Sequence, residues 1–189
     1  GIELVGVRHE IAAAGTAFAY ARGTGRPAVC LAPAGPGAVN MNPTAVHAQA
    51  EETPIIMLGG SSPLATRGTG SFQELDQVVL FAPAVKQTLQ LTRPEDADRL
   101  FDSALAVATA PRQGPVYLDL PGDMLNAIVE NEAAIDIAPS PLPDPIRPAA
   151  AQVDAILDAL AAASRPVIVS GSGIIWAGAS AAMEQFVDS

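Results

Sequence analysis

"RPAVCLAPAGPGAVN" (residues 26–40) decides the fold. An apolar run of strand length, bounded by proline, passes through Gly35-Pro36-Gly37 into a stretch with helical spacing. The same unit recurs outward from it. "IELVGV" (2–7) precedes a helical pattern over 10–22, and "PAVCLAP" (27–33) precedes one over 37–50. "PIIMLGG" (54–60) follows, then a helix over 94–110 and the run "GPVYLDLP" (114–121). Apolar runs alternating with helices predict an α/β domain built on a parallel sheet. "TRPEDADRLFDSALAVATA" (92–110) is the clearest helix: Thr92 is placed to cap it and Pro94 falls in its first turn. Leu100, Ala104, Leu105 and Ala108 form its apolar face.

Composition narrows the function. Of 189 residues 49% are apolar and 16% charged, enough for a substantial core. A net charge of −10 argues against a nucleic-acid backbone or an anionic membrane as partner, and 4% aromatics argue against base stacking. No apolar stretch is long enough to span a bilayer. Cys30, the lone cysteine, lies in "AVCLA" and reads as a small buried hydrophobe; a reducing compartment suits it.

The character changes between 126 and 148, where five prolines fall in the ten residues Pro139–Pro148 and predict an extended connector. A new unit follows over 149–189. It has an amphipathic helix near 149–163, a strand "RPVIVSG" (165–171), a glycine turn and a helix from about Gly178. One strand and two helices cannot close a core, so the chain reads as part of a larger protein.

Four features follow predicted strands: Glu10, the turn 32–40, the turn "GGSSP" (59–63) and the loop "GTGSFQELDQ" (68–77). Ligands of open parallel sheets bind at the carboxyl ends of the strands, so these four are expected to converge there. Taken singly each has an ordinary explanation. Gly35–Gly37 serves a tight turn, and no Gly-Lys-Ser/Thr follows it to make a phosphate loop. "GSGIIWAG" (171–178) has the wrong spacing for G-x-G-x-x-G. Glu10 is a first-turn acid favoured by the helix dipole. The small residues Ala12–Gly15 add a second expectation, that close packing desolvates the carboxyl and raises its pKa.

In order, "GVRHEIAAAGTAFAYARGTGRPAVCLAPAGPGAVN", "PIIMLGGSSP", "GTGSFQELDQ" and "GPVYLDLPGDM" resemble the pyrimidine-binding domain of thiamine-diphosphate enzymes. The likeness is to the acetolactate synthase group, whose relatives include oxalyl-CoA decarboxylase and 2-hydroxyacyl-CoA lyase. It implies a pyrimidine domain over 1–125 lacking its first strand and helix, a Pro-rich linker over 126–148 and, over 149–189, the start of a Rossmann-like central domain.

For the site, the resemblance implies that Glu10 hydrogen-bonds the aminopyrimidine of thiamine diphosphate and promotes the C2 ylide. Gly35, Pro36, Gly37 and Asn40 match the turn beside the ring. Gln73 matches a position facing cofactor and substrate, and Phe72 and Lys86 fall on the substrate side. The family's Thr-Ser before Gly-Pro-Gly is replaced by Pro33-Ala34. No metal ligand is expected in this chain: Mg²⁺ is implied with the diphosphate on a third domain, and "SGSGIIWAGAS" is compatible with FAD, an adenine nucleotide or neither. The implied protein is a cytoplasmic homodimer or homotetramer of branched-chain amino-acid biosynthesis, with its active site between subunits, making or breaking a C–C bond beside a 2-keto acid carbonyl. On that reading this fragment alone is inactive. A CoA-dependent lyase or decarboxylase is the sibling reading; a non-catalytic nucleotide-binding module is the reading of another class.

Overall fold

A computed structural model divides the chain into two units, Gly1–Leu142 and Pro143–Ser189, and describes residues 3–129 and 147–188. The first unit carries a sheet of four parallel strands: β1 (Ala28–Ala32), β2 (Ile55–Ser61), β3 (Gln87–Gln90) and β4 (Val116–Pro121), in the order β1-β2-β4-β3. This is the α/β parallel architecture expected. Its helices are α1 (Glu10–Thr24), α2 (Pro36–Ala50), α3 (Gln77–Phe81), α4 (Ala97–Thr109) and α5 (Gly122–Leu125).

The strand order places the helices. From β1 to β2 the chain steps one way across the sheet, and from β3 to β4 it steps back. Right-handed crossovers therefore put α2 and α4 on opposite faces. On one face Ala14, Ala17 and Ala21 of α1 meet Ala38, Met41, Ala45 and Ala48 of α2 over Cys30, Ile55 and Met57. Alanine at these positions removes side-chain bulk and lets the two helices pack in close layers on the sheet. On the other face Ala104 and Ala108 of α4 cover Ile56 and Val116, with Leu105 and Phe101 beside them. Ile55, Ile56 and Met57 are fully buried, each worth about 1.5–3 kcal/mol of transfer free energy.

Local signals set the helix ends. α1 starts at the N-cap His9, whose ring Nδ1 accepts the Ile11 N–H, and stops at Gly25 (φ +68°), whose N–H reaches Ala21 O. α2 opens with Pro36 behind Gly35 (φ +61°, ψ −115°), a backbone conformation that glycine tolerates and a Cβ resists. Cys30 is buried against Met41 Sδ at 3.8 Å, and burial pushes its thiol up to about 12.

Several expectations need correction. Residues 3–7 form no strand, and Leu4 is 79% exposed. Residues 165–171 form none either: Val167 and Val169 stand in solvent. In both places an apolar run lacks a neighbouring strand to satisfy its N–H and C=O groups, and hydrophobicity cannot replace that partner. Thr92 does not cap α4. A 3-10 turn over Pro94–Asp96 leads into the helix, and Asp96 is the N-cap residue. The second unit contains α6 (Ala150–Ala162), α7 (Gly173–Trp176) and α8 (Ser180–Val187), with no buried residue in any of them. Most of the expected linker lies outside the described residues.

Candidate functional site

Glu10 is the first residue of α1, and its side chain is 28% exposed. Asn40, one turn into α2, donates its Nδ2 to Glu10 Oε2 at 3.0 Å. That bond, then the residue's own amide N–H, holds the Glu10 carboxyl below the ordinary glutamate range against a weaker opposing effect of burial. The expected upward shift is therefore absent. Ala14 of the small run is buried, but Ala12 and Ala13 are not and Gly15 has open space beside it, so the described residues dry the carboxyl only in part. His9 Nδ1 lies 3.9 Å from Glu10 Oε2. The same nitrogen accepts the Ile11 N–H as the helix cap, and the nearness of His9 is the smallest of the influences that lower the Glu10 carboxyl.

Gly37 sits beside this pair. A Cβ there would fall 2.5 Å from Pro33 Cγ and 3.3 Å from Glu10 Oε1, so glycine keeps one side of the carboxylate open. Gly35 is equally constrained: a Cβ would meet Gln73 O at 2.6 Å. The backbone of Gln73, itself at φ +57°, thus closes over the turn. Between Gly35–Asn40 and Gln73–Leu75 lies a cleft of about 470 Å³, in the size range of small-molecule sites. Phe72, 87% exposed, stands at the tip of the same loop without packing. Glu74 shapes that tip. Its carboxylate accepts the N–H groups of Gly68, Gly70 (3.0 Å) and Ser71 (2.9 Å), and these bonds, Gly68 foremost, hold it below its ordinary range.

Glu10, Gly35, Pro36, Gly37, Asn40 and Gln73 are therefore brought together. Lys86 is not. It precedes β3 at the amino end of the sheet, where its amide bonds Pro115 O. Its Nζ donates to Val107 O (2.5 Å) and Ala110 O (3.2 Å), the last turn of α4, and partial burial lowers its pKa. Lys86 is a helix C-cap at the edge opposite the cleft, because it enters a strand rather than leaving one.

Beneath the cleft runs a buried polar network that sequence reasoning missed. Gln77 Oε1 accepts the Gly35 N–H at 2.6 Å. Its Nε2 lies 2.9 Å from Gly60 O, 2.7 Å from Tyr117 Oη and 3.0 Å from Asp119 Oδ1. Asp119, 1% exposed, accepts further from Ser61 Oγ (2.9 Å), Gln90 Nε2 (2.7 Å) and Arg67 (3.4 Å). Burial, then the Asp119 charge, pushes the Tyr117 phenol well up, so it stays protonated. A polar residue inside the apolar run "VYLDL" was the available signal for Asp119; Gln77 gave none.

Residues 1–80 match the family described as "Thiamine pyrophosphate enzyme, N-terminal TPP binding domain". Over that segment the chain is similar to the thiamine-pyrophosphate enzymes. Among relatives, the "Probable acetolactate synthase large subunit" of Methanocaldococcus jannaschii is 36% identical across 92% of this chain and 30% of its own length. "Acetolactate synthase isozyme 1 large subunit" of Escherichia coli K12 is 35% identical across 89% of this chain and 30% of its own. "Oxalyl-CoA decarboxylase" of the same organism is 33% identical across 100% of this chain and 34% of its own. The chain thus spans about a third of the length of these curated relatives. All the residues that line the cleft fall within the segment matching the thiamine-pyrophosphate-enzyme N-terminal domain.

Proposed function

We propose that the full-length protein is a thiamine-diphosphate enzyme that makes or breaks a C–C bond beside a 2-keto acid carbonyl, in the manner of an acetolactate synthase. The observation that carries this is the Glu10–Asn40 pair beside Gly37, inside a segment matching a thiamine-pyrophosphate-binding domain. A flat aminopyrimidine suits the site: the glycine keeps the carboxylate face clear, and the carboxylate offers a ring nitrogen an oxygen partner. When bound, thiamine diphosphate supplies a nucleophilic thiazolium carbon and an electron sink.

This chain's residues have distinct tasks in that reading. Glu10 holds a proton at the ring nitrogen; Asn40 fixes the carboxylate plane; Gly35 and Gly37 let the ring approach; Gln73 and Phe72 face the keto acid. Because this chain leaves Glu10 partly hydrated, its drying falls to a second copy of the protein covering the cleft, which makes a homodimer or homotetramer the working unit. Mg²⁺ belongs with the diphosphate on residues beyond this chain, and FAD, if carried, with the central domain. A cytoplasmic location fits the same reading.

The test is Glu10→Gln in the full-length protein. Turnover of a 2-keto acid is expected to fall ~10²–10⁴-fold with the melting temperature unchanged. Retained turnover defeats the role given to Glu10, whereas a wild-type protein that turns over no 2-keto acid favours a non-catalytic nucleotide-binding module. The oxalyl-CoA decarboxylase relative, matched across the whole chain, supports a second reading, a CoA-thioester decarboxylase. Consumption of oxalyl-CoA but not of a free keto acid selects it.

A further inference from the structure

The structure assigns to Gln77 a positioning role in the site: its side-chain amide locks the Gly35 turn to the carboxyl ends of β2 and β4, and so sets where Asn40 meets Glu10. This rests on the thiamine reading above for its consequence, not for its geometry. The amide orientation is forced. Gly35 offers an N–H and so requires an oxygen, while Gly60 offers a C=O and so requires a nitrogen. No flip satisfies both. Gln77 is 2% exposed, so water cannot replace either bond, and one missing partner leaves a buried group unpaired.

The turn needs this hold. Gly35 lies at φ +61°, ψ −115°, with no side-chain cap on α2. Its carbonyl accepts the Val39 N–H, so the plane of Gly35 starts the first turn of the helix, and Asn40 is the next residue along. Rotation at Gly35 moves Asn40 relative to Glu10, which stands on a different helix. Gln77 also opens α3, directly after the loop carrying Phe72 and Gln73. One amide therefore ties the cleft's two walls to its floor. Gln77 touches neither Glu10 nor Asn40 in any described hydrogen bond; it acts through the backbone.

The test compares Gln77→Met and Tyr117→Phe in the full-length protein. Gln77→Met keeps the volume and loses the Gly35 bond, whereas Tyr117→Phe loses another partner of the same amide and spares Gly35. Deuterium uptake is read across residues 33–41 without cofactor, and the thiamine diphosphate Kd is read with Mg²⁺. For Gln77→Met, exchange at the turn is expected to rise and Kd to increase about tenfold, the equivalent of one buried hydrogen bond. For Tyr117→Phe both should stay near wild type. Unchanged uptake in Gln77→Met, or equal effects of the two variants, overturns the assignment. A wild-type protein that does not bind thiamine diphosphate defeats the cofactor reading instead, and the uptake contrast still decides Gln77. If Gln77→Met does not fold, Gln77→Asn keeps the amide but shortens its reach by one methylene. Raised uptake across 33–41 in that variant supports the role, and unchanged uptake overturns it.

Discussion

Ile56 and Val169 both sit in short runs of β-branched apolar residues, yet Ile56 is 1% exposed and Val169 is 92% exposed. Ile56 pairs with β1 on one side and β4 on the other, and α4 covers its face. Around Val169 no strand forms. The contrast teaches that an apolar run becomes a strand only when neighbours satisfy its backbone. Without them its side chains gain nothing from extension. The same rule separates Leu58 from Leu4 within the first unit.

The sharpest way to break this comparison is a charge in each run. Ile56→Asp should cost more than about 4 kcal/mol and unfold the first unit, since a buried unpaired carboxylate has no compensating partner. A guanidinium melt that retains its transition would refute the core assignment. Gly59→Ala is the next largest. Its Cβ would fall 2.0 Å from Tyr117 Oη, and that ring cannot swing aside because it stacks on Phe81 at 4.0 Å. Urea unfolding should show a loss of about 1–3 kcal/mol.

Lys86→Met should cost about 1 kcal/mol, from the lost caps on α4, and leave turnover of the full-length protein unchanged. A large fall in turnover with normal stability would return Lys86 to the substrate side. Acid should act on the loop tip before the core. The Glu74 carboxyl is lowered in the folded chain, so its stabilising bonds are complete above the ordinary glutamate range and disappear as pH falls through the lowered value. Proteolysis between 66 and 74 should therefore rise at acid pH in wild type. In Glu74→Gln it should already be raised at neutral pH, and equal cleavage of the two there would contradict the clamp. Last comes Val169→Asp, expected to change stability by less than about 0.5 kcal/mol. A loss comparable to Ile56→Asp would mean that this run is covered after all.

The candidate site was legible where local chemistry fixes local geometry. Gly35-Pro36 announces a turn entering a helix, His9-Glu10 announces a capped helix start, and the turns after β1 and β2 fall at one sheet edge because parallel strands share a direction. β3 was not legible: "QTLQ" is polar and only partly buried, and its place depends on β4. The Glu10 carboxyl misled for a related reason, since an alanine-rich neighbourhood dries a charge only if other residues close over it.

By itself the sequence determined the βα alternation, the glycine turn and the family likeness, because these reside in side-chain size, φ preference and residue order along a few consecutive positions. Tertiary structure alone decided which apolar runs pair, that Lys86 faces away from the cleft, and that Gln77 and Asp119 join the strand ends beneath it. Those outcomes depend on hydrogen-bond partners about twenty to sixty positions away, brought close only when the sheet has formed, and no short window along the chain contains both halves of such a bond.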